Sequence, residues 1–154
     1  MLASGSEDHS IILWDVATHR PIGEPLAGHN DSVISVAFSP DGRILASGDA
    51  NDIIILWDVI RRQVIDPPLT HGGKEPIHDV AFSPNGRILA EGSGDRSITL
   101  WDVTSHRELG LPLSGNASDI MSVAFSPGGK ILASGGLLDS TILLWDISTQ
   151  QPIG

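Results

Sequence analysis

Apolar and β-branched residues fall along this chain in short runs of about 5–6, each closed by a turn signal rather than continued. Val33–Phe38 (VISVAF) stops at Ser39-Pro40-Asp41-Gly42, where Pro and Gly favour a turn. Arg43–Gly48 (RILASG) follows, then a polar turn, then Ile53–Asp58 (IIILWD). A weaker run near Arg62–Ile65 precedes Pro67-Pro68. No stretch keeps a 3.6-residue period between capping signals, so the pattern predicts short strands and no helix longer than a turn.

The runs recur. Trp-Asp stands at Trp14-Asp15, Trp57-Asp58, Trp101-Asp102 and Trp145-Asp146, spaced 43, 44 and 44 residues. The string AFSP begins at Ala37, Ala81 and Ala124, and variants of LASGS begin at Leu2, Leu45, Leu89 and Leu132. All four Trp and all three Phe occupy repeat positions, which leaves no aromatic side chain for a ligand cage. Four short strands in about 44 residues make a small sheet that is apolar on both faces and has to stack on like sheets.

Trp-Asp at the end of the third strand, Gly28-His29 before the first, and the AFSPDG and LASGS strings resemble the WD-repeat β-propeller family over essentially the whole chain. The wording is most similar to bacterial repeat arrays. The resemblance implies an all-β fold of four-stranded antiparallel blades, the innermost strand of each lining a channel. On that pattern residues 1–26 form an incomplete blade without its innermost strand, and blades follow at 27–69, 70–113 and 114–154, the last with a short outer strand. The expectation is three complete blades and one incomplete, about 15 strands in all. At about 44 residues per repeat the chain holds about 3.5 repeats, fewer than a closed ring needs. Two copies joined end to end would bring Trp145 and Trp14 within 23 residues, against the 43 or 44 of the repeat. The expectation is a fragment of a longer propeller that associates with itself or with a complementary fragment.

The family's polar network joins a His before the innermost strand, a Ser or Thr on the second, an Asp in the next turn, and the Trp. Carried over, the first blade has Ser4, Asp8 and Trp14, and the second His29, Ser47, Asn51 in the Asp position, and Trp57. The third has Asp95 and Trp101, but Glu91 replaces the Ser and His71-Gly72 reverses the Gly-His order. The fourth has Ser134, Asp139 and Trp145, with Asn116 in the His position. No blade reads as complete, and the role implied is structural, the polar groups satisfying one another inside the sheet. Residues spread in this way supply no exposed nucleophile beside an oxyanion hole, so no catalytic residue is expected.

Candidate partner-binding positions are those that vary while the scaffold stays fixed. Aligned innermost strands put Ile34, His78 and Met121 at one position, and Ser35, Asp79 and Ser122 at the next. The resemblance places them near the channel mouth, where Ile34 and Met121 offer apolar anchors beside His78 and Asp79, or else pack against neighbouring blades. Glu7-Asp8-His9 and His78-Asp79 lack partners at ligand spacing, and Gly128-Gly129-Lys130 lacks the rest of a phosphate loop, so neither a metal nor a cofactor is expected. The chain has no Cys. Nine Lys and Arg against 19 Asp and Glu give a formal charge of −10, which argues against nucleic acid and anionic membrane as partners. No signal or spanning segment stands out, which points to a cytoplasmic protein, and the sequons at Asn30 and Asn116 are expected to be unmodified. The function expected is a non-enzymatic protein–protein interaction scaffold. The rivals are a self-assembling structural unit and, behind it, an enzyme with its site in the channel.

Overall fold

The computed structural model describes residues 1–138 and 141–153. Strands β1 (Leu2–Gly5), β2 (Ser10–Asp15), β3 (Arg20–Pro21) and β4 (Leu26–Ala27) form the first sheet. The second is β5 (Val33–Phe38), β6 (Ile44–Asp49), β7 (Ile54–Asp58) and β8 (Gln63–Leu69). The third holds β9 (Ile77–Phe82), β10 (Ile88–Ser93), β11 (Ser97–Asp102), β12 (Arg107–Glu108) and β13 (Leu113–Ser114). The fourth is β14 (Ile120–Phe125), β15 (Ile131–Gly136), β16 (Ile142–Asp146) and β17 (Gln151–Pro152). Every pairing is antiparallel and, apart from β2 with β4 and β11 with β13, joins neighbours in sequence, so each sheet is a meander and the all-β expectation holds.

The 17 segments reconcile with the expected 15 through the outer strand. In the first and third sheets it is broken, so β3 with β4, and β12 with β13, pair with a single strand at its two ends. In the second sheet β8 runs unbroken with a bulge opposite Ile54–Leu56. The first sheet lacks an innermost strand, and β1 packs beside β5 of its neighbour. Innermost strands β5, β9 and β14 then lie side by side, with β9 in the middle. No helix among the described residues is long and apolar enough to cross a membrane.

Period-2 alternation divides each third strand between two seams. Ile55 and Trp57 join Ile11, Leu13 and Leu26 in the core between the first and second blades. Ile54 and Leu56, on the opposite face, join Ile77, Val80, Leu89 and Trp101 between the second and third. Ile98 and Leu100 repeat the arrangement with Ile120, Leu132 and Trp145 between the third and fourth. The three seams are three separate cores, and each buried Trp faces the blade before it.

Candidate functional site

The Trp of each repeat points inward and the Asp beside it points out. Trp14 Nε1 donates to Ser4 Oγ at 2.9 Å, Trp57 to Ser47 at 2.8 Å, and Trp145 to Ser134 at 2.9 Å. Trp101 donates instead to the carboxylate of Glu91, at 2.7 Å. Asp15, Asp58, Asp102 and Asp146 turn to the surface and cap the next turn, accepting from Thr18, Arg61, Ser105 and Thr149 main-chain N–H groups. Those hydrogen bonds to the charged form hold all four carboxyls below the usual carboxylate range.

The second blade carries a complete network. His29 Nδ1 lies 2.9 Å from Asp49 Oδ2 and Nε2 lies 2.6 Å from Ser47 Oγ. Trp57 N–H donates to Ser47 Oγ, and the Ser47 hydroxyl has two acceptors in reach, His29 Nε2 and the Ile55 carbonyl at 3.3 Å. Burial pushes the His29 pKa down despite the pull of Asp49, which favours the neutral imidazole with Nδ1–H donating to Asp49. The carboxylate is Asp49 rather than a group at the Asn51 position, a correction to the sequence alignment. Asn51 contributes only its main-chain N–H, which with that of Ile53 holds Asp49 Oδ1 at 2.9 and 3.0 Å. The side chain at residue 49 reaches His29 from the end of β6, while residue 51 lies out in the turn. Other blades have Ser6 and Ser93 where this one has Asp49.

Asp8 and Asp95, aligned with Asn51, are turn caps. Asp8 Oδ1 accepts from the Ser10 N–H and hydroxyl at 3.0 and 2.6 Å, and Asp95 Oδ1 accepts from those of Ser97, both at 2.8 Å. In the fourth blade Ser134 donates to Asn116 Oδ1 at 3.0 Å, so the amide takes the place of the imidazole. Asp139 lies outside the described residues.

The third blade departs furthest. His71 Nε2 lies 3.2 Å from Asp52 Oδ1 and 3.9 Å from Asp95 Oδ2, and Nδ1 lies 3.8 Å from Glu91 Oε1. Burial pushes the Glu91 carboxyl up to about 7, against the Trp101 hydrogen bond and the nearby His71, which favour its ionised form. Asp52 comes from the preceding blade. It takes a positive φ of 63°, at the repeat position where His9 and Arg96 do the same, and its side chain is buried against the third blade. The sequence identified Glu91 and the reversed His71-Gly72 as departures, but nothing in it linked Asp52 to either.

The proposed docking positions fall on the innermost strands. Ile34 and Met121 are 43% and 39% exposed, with His78 between them at the equivalent place on β9. Asp79 is engaged on both sides: its Oδ1 accepts from Ser35 Oγ at 3.1 Å, and its Oδ2 from Ser122 Oγ at 3.1 Å and Val123 N–H at 2.9 Å. It ties β9 to both adjacent innermost strands.

No curated protein matches the chain. The family model described as WD domain, G-beta repeat matches four times, at residues 1–15, 20–58, 67–102 and 107–146. Those segments span most of the chain, and each of the last three begins on the outer strand of one sheet and ends on the third strand of the next, so the chain belongs to the WD-repeat family.

Proposed function

We propose that this chain is a non-enzymatic protein–protein interaction scaffold, and that it works as a segment of a larger ring whose open faces take further blades. WD repeats typically mediate protein–protein interaction. The observation that carries the segment reading is the burial of one repeat position. Ile54 and Ile98 are fully buried, whereas the equivalent Ile142 on β16 is 73% exposed, and Leu144 is 41% exposed where Leu56 and Leu100 are buried. Leu137 and Leu138 are exposed too, as are Met1, Leu2 and Val16 at the other end. Apolar terminal faces of this kind are what capping repeats cover.

The occupant that matches such a face is another blade of the same kind, from a second copy or a complementary WD-repeat segment. Loops and the strand starts around Ile34, His78 and Met121 are then left for partner proteins. Light scattering at tens of micromolar (an order-of-magnitude choice) tests the segment reading. Particles heavier than the 16.3 kDa chain are expected, and a cooperative monomer of that mass would overturn it. For the scaffold reading, changing Ile34 and Met121 to Asp together is expected to weaken partner capture with the far-ultraviolet spectrum intact.

A further inference from the structure

The seam between the second and third blades holds two buried carboxylate oxygens with no hydrogen-bond donor, Asp52 Oδ1 and Glu91 Oε1. No other buried side-chain oxygen among the described residues is left in this state. Both residues are 1% exposed. Each carboxylate is nevertheless fixed through its other oxygen. Asp52 Oδ2 accepts from Thr70 Oγ1 at 2.9 Å and from the Gly73 N–H at 2.7 Å, and Glu91 Oε2 accepts from Trp101 Nε1 at 2.7 Å. The two free oxygens are thereby held toward one place, and His71 is there. One ligand atom each from Asp52, His71 and Glu91 lie within 4.8 Å of one another. His71 is close to both oxygens but forms a hydrogen bond with neither.

That combination suits a cation better than a proton. A proton on one carboxyl satisfies a single acceptor along a single direction, whereas an ion among the three groups draws on all of them. On an ion with ligand distances of about 2.0–2.2 Å, tetrahedral donors stand about 3.3–3.6 Å apart. His71 Nε2 stands 3.2 Å from Asp52 Oδ1 and 3.9 Å from Asp95 Oδ2, close to that spacing, while Glu91 Oε1 approaches the other ring nitrogen at 3.8 Å, so a shift of under about 1.5 Å brings the three groups onto one ion. One imidazole with two carboxylates matches the zinc class, while magnesium and calcium call for six or more oxygen donors. Hydrogen bonds that fix the second oxygen of a ligating carboxylate are what orient such ligands.

We propose that Asp52, His71 and Glu91 bind one Zn²⁺ ion across the seam between the second and third blades, with Asp95 Oδ2 beside them as a fourth donor. The imidazole side chain is 23% exposed, which gives the ion a route from solvent. The ion would join Asp52, from one blade's turn, to the His71 and Glu91 of the next, adding to the apolar packing and the Asp52 and Asp79 hydrogen bonds that already cross this seam. The inference does not depend on the scaffold reading.

The test is a titration of the intact chain with Zn²⁺ against a chromophoric chelator, after treatment with EDTA. One ion per chain is expected, with a higher urea midpoint in its presence. Asp52→Asn and Glu91→Gln, each checked by circular dichroism, are expected to lose about tenfold or more in affinity, while His78→Ala and His9→Ala keep it. Co²⁺ bound to the unaltered chain provides a readout that needs no variant, and a visible absorption band of low-coordinate cobalt with nitrogen and oxygen donors is expected. No saturable Zn²⁺ binding, a cobalt spectrum like that of the aqueous ion, or equal affinity in the Asp52 and Glu91 variants would each overturn the proposal.

Discussion

His29 shows how much one side chain can decide. It connects Ser47, and through it Trp57, to the buried Asp49. His29→Ala leaves Ser47 Oγ with only the longer bond to the Ile55 carbonyl and Asp49 Oδ2 without its N–H donor, so a loss of about 1–3 kcal/mol is expected. Asn116→Ala, where only an amide is lost, is expected to cost less, and urea denaturation of the two variants measures the difference. The His29 pKa is lowered by folding, so protonation favours the unfolded chain. Its contribution is full above the unfolded value of about 6.5 and is lost as pH falls below that toward the folded value. Glu91 acts in the opposite sense: with its pKa raised to about 7, its contribution is held below the unfolded carboxyl value and lost as pH rises through about 7. The difference between parent and His29→Ala therefore isolates the histidine. The parent's advantage in urea midpoint is expected to shrink from pH 7.5 to 5.5, and an advantage that stays constant would show that His29 does not titrate in that range. The Trp, Ser and His of this network were readable from sequence because they recur at a fixed spacing. Asp49 was not, because the carboxylate sits two residues earlier than in the other repeats, on the last residue of β6 rather than out in the turn.

At the scale of the element, one turn is built the same way four times. His19, Arg62, His106 and Gln150 each take a positive φ of 56–57°, and each main-chain N–H bonds back to the carbonyl of the Trp-Asp aspartate. Three of these side chains then reach the outer strand region of the blade before: Arg62 to the Glu24 carbonyl, His106 to that of Pro67, and Gln150 to that of Leu109. The repeated strings made these elements legible. The broken outer strands were not, because β3, β4, β12 and β13 are two residues each and carry no alternating pattern. The glycine of the LASG string gives a test of how blades meet. A Cβ on Gly48 would lie 2.6 Å from Ile77 Cγ2, and one on Gly92 would lie 2.7 Å from Ile120 Cγ2. A Cβ on Gly135, the fourth copy, meets nothing within 4 Å. Gly48→Ala is expected to cost about 1–3 kcal/mol through overpacking at the seam. Gly135→Ala, measured in dilute solution, is expected to stay within about 0.5 kcal/mol of the parent. Equal losses at both positions would mean that the close approach of the next blade is not what excludes a side chain there.

Across the whole molecule, stability is a set of seams, each formed by two blades and each with its own core. Each Trp faces the blade before it, which is why Trp57, Trp101 and Trp145 are buried while Trp14, in the first blade, is only partly so. The sequence showed the number of blades, since that follows from the period. It did not show the seam cluster of Asp52, His71 and Glu91, because its members come from two repeats and other repeats carry His9 and Arg96 at the Asp52 position. The exposed fourth-blade face leads to the last prediction. If another blade covers Ile142 and Leu144, a charge there has to be desolvated on association, so Ile142→Asp with Leu144→Asp is expected to return the chain to 16.3 kDa particles in light scattering. The same pair of changes faces solvent within the chain, so its far-ultraviolet spectrum is expected to remain that of the parent. Ile34→Asp with Met121→Asp, at the starts of the innermost strands, alters exposed apolar residues on a different surface and is expected to leave the particle mass unchanged. If both double variants lower the mass alike, association comes from general surface stickiness, and the open blade face is not its site.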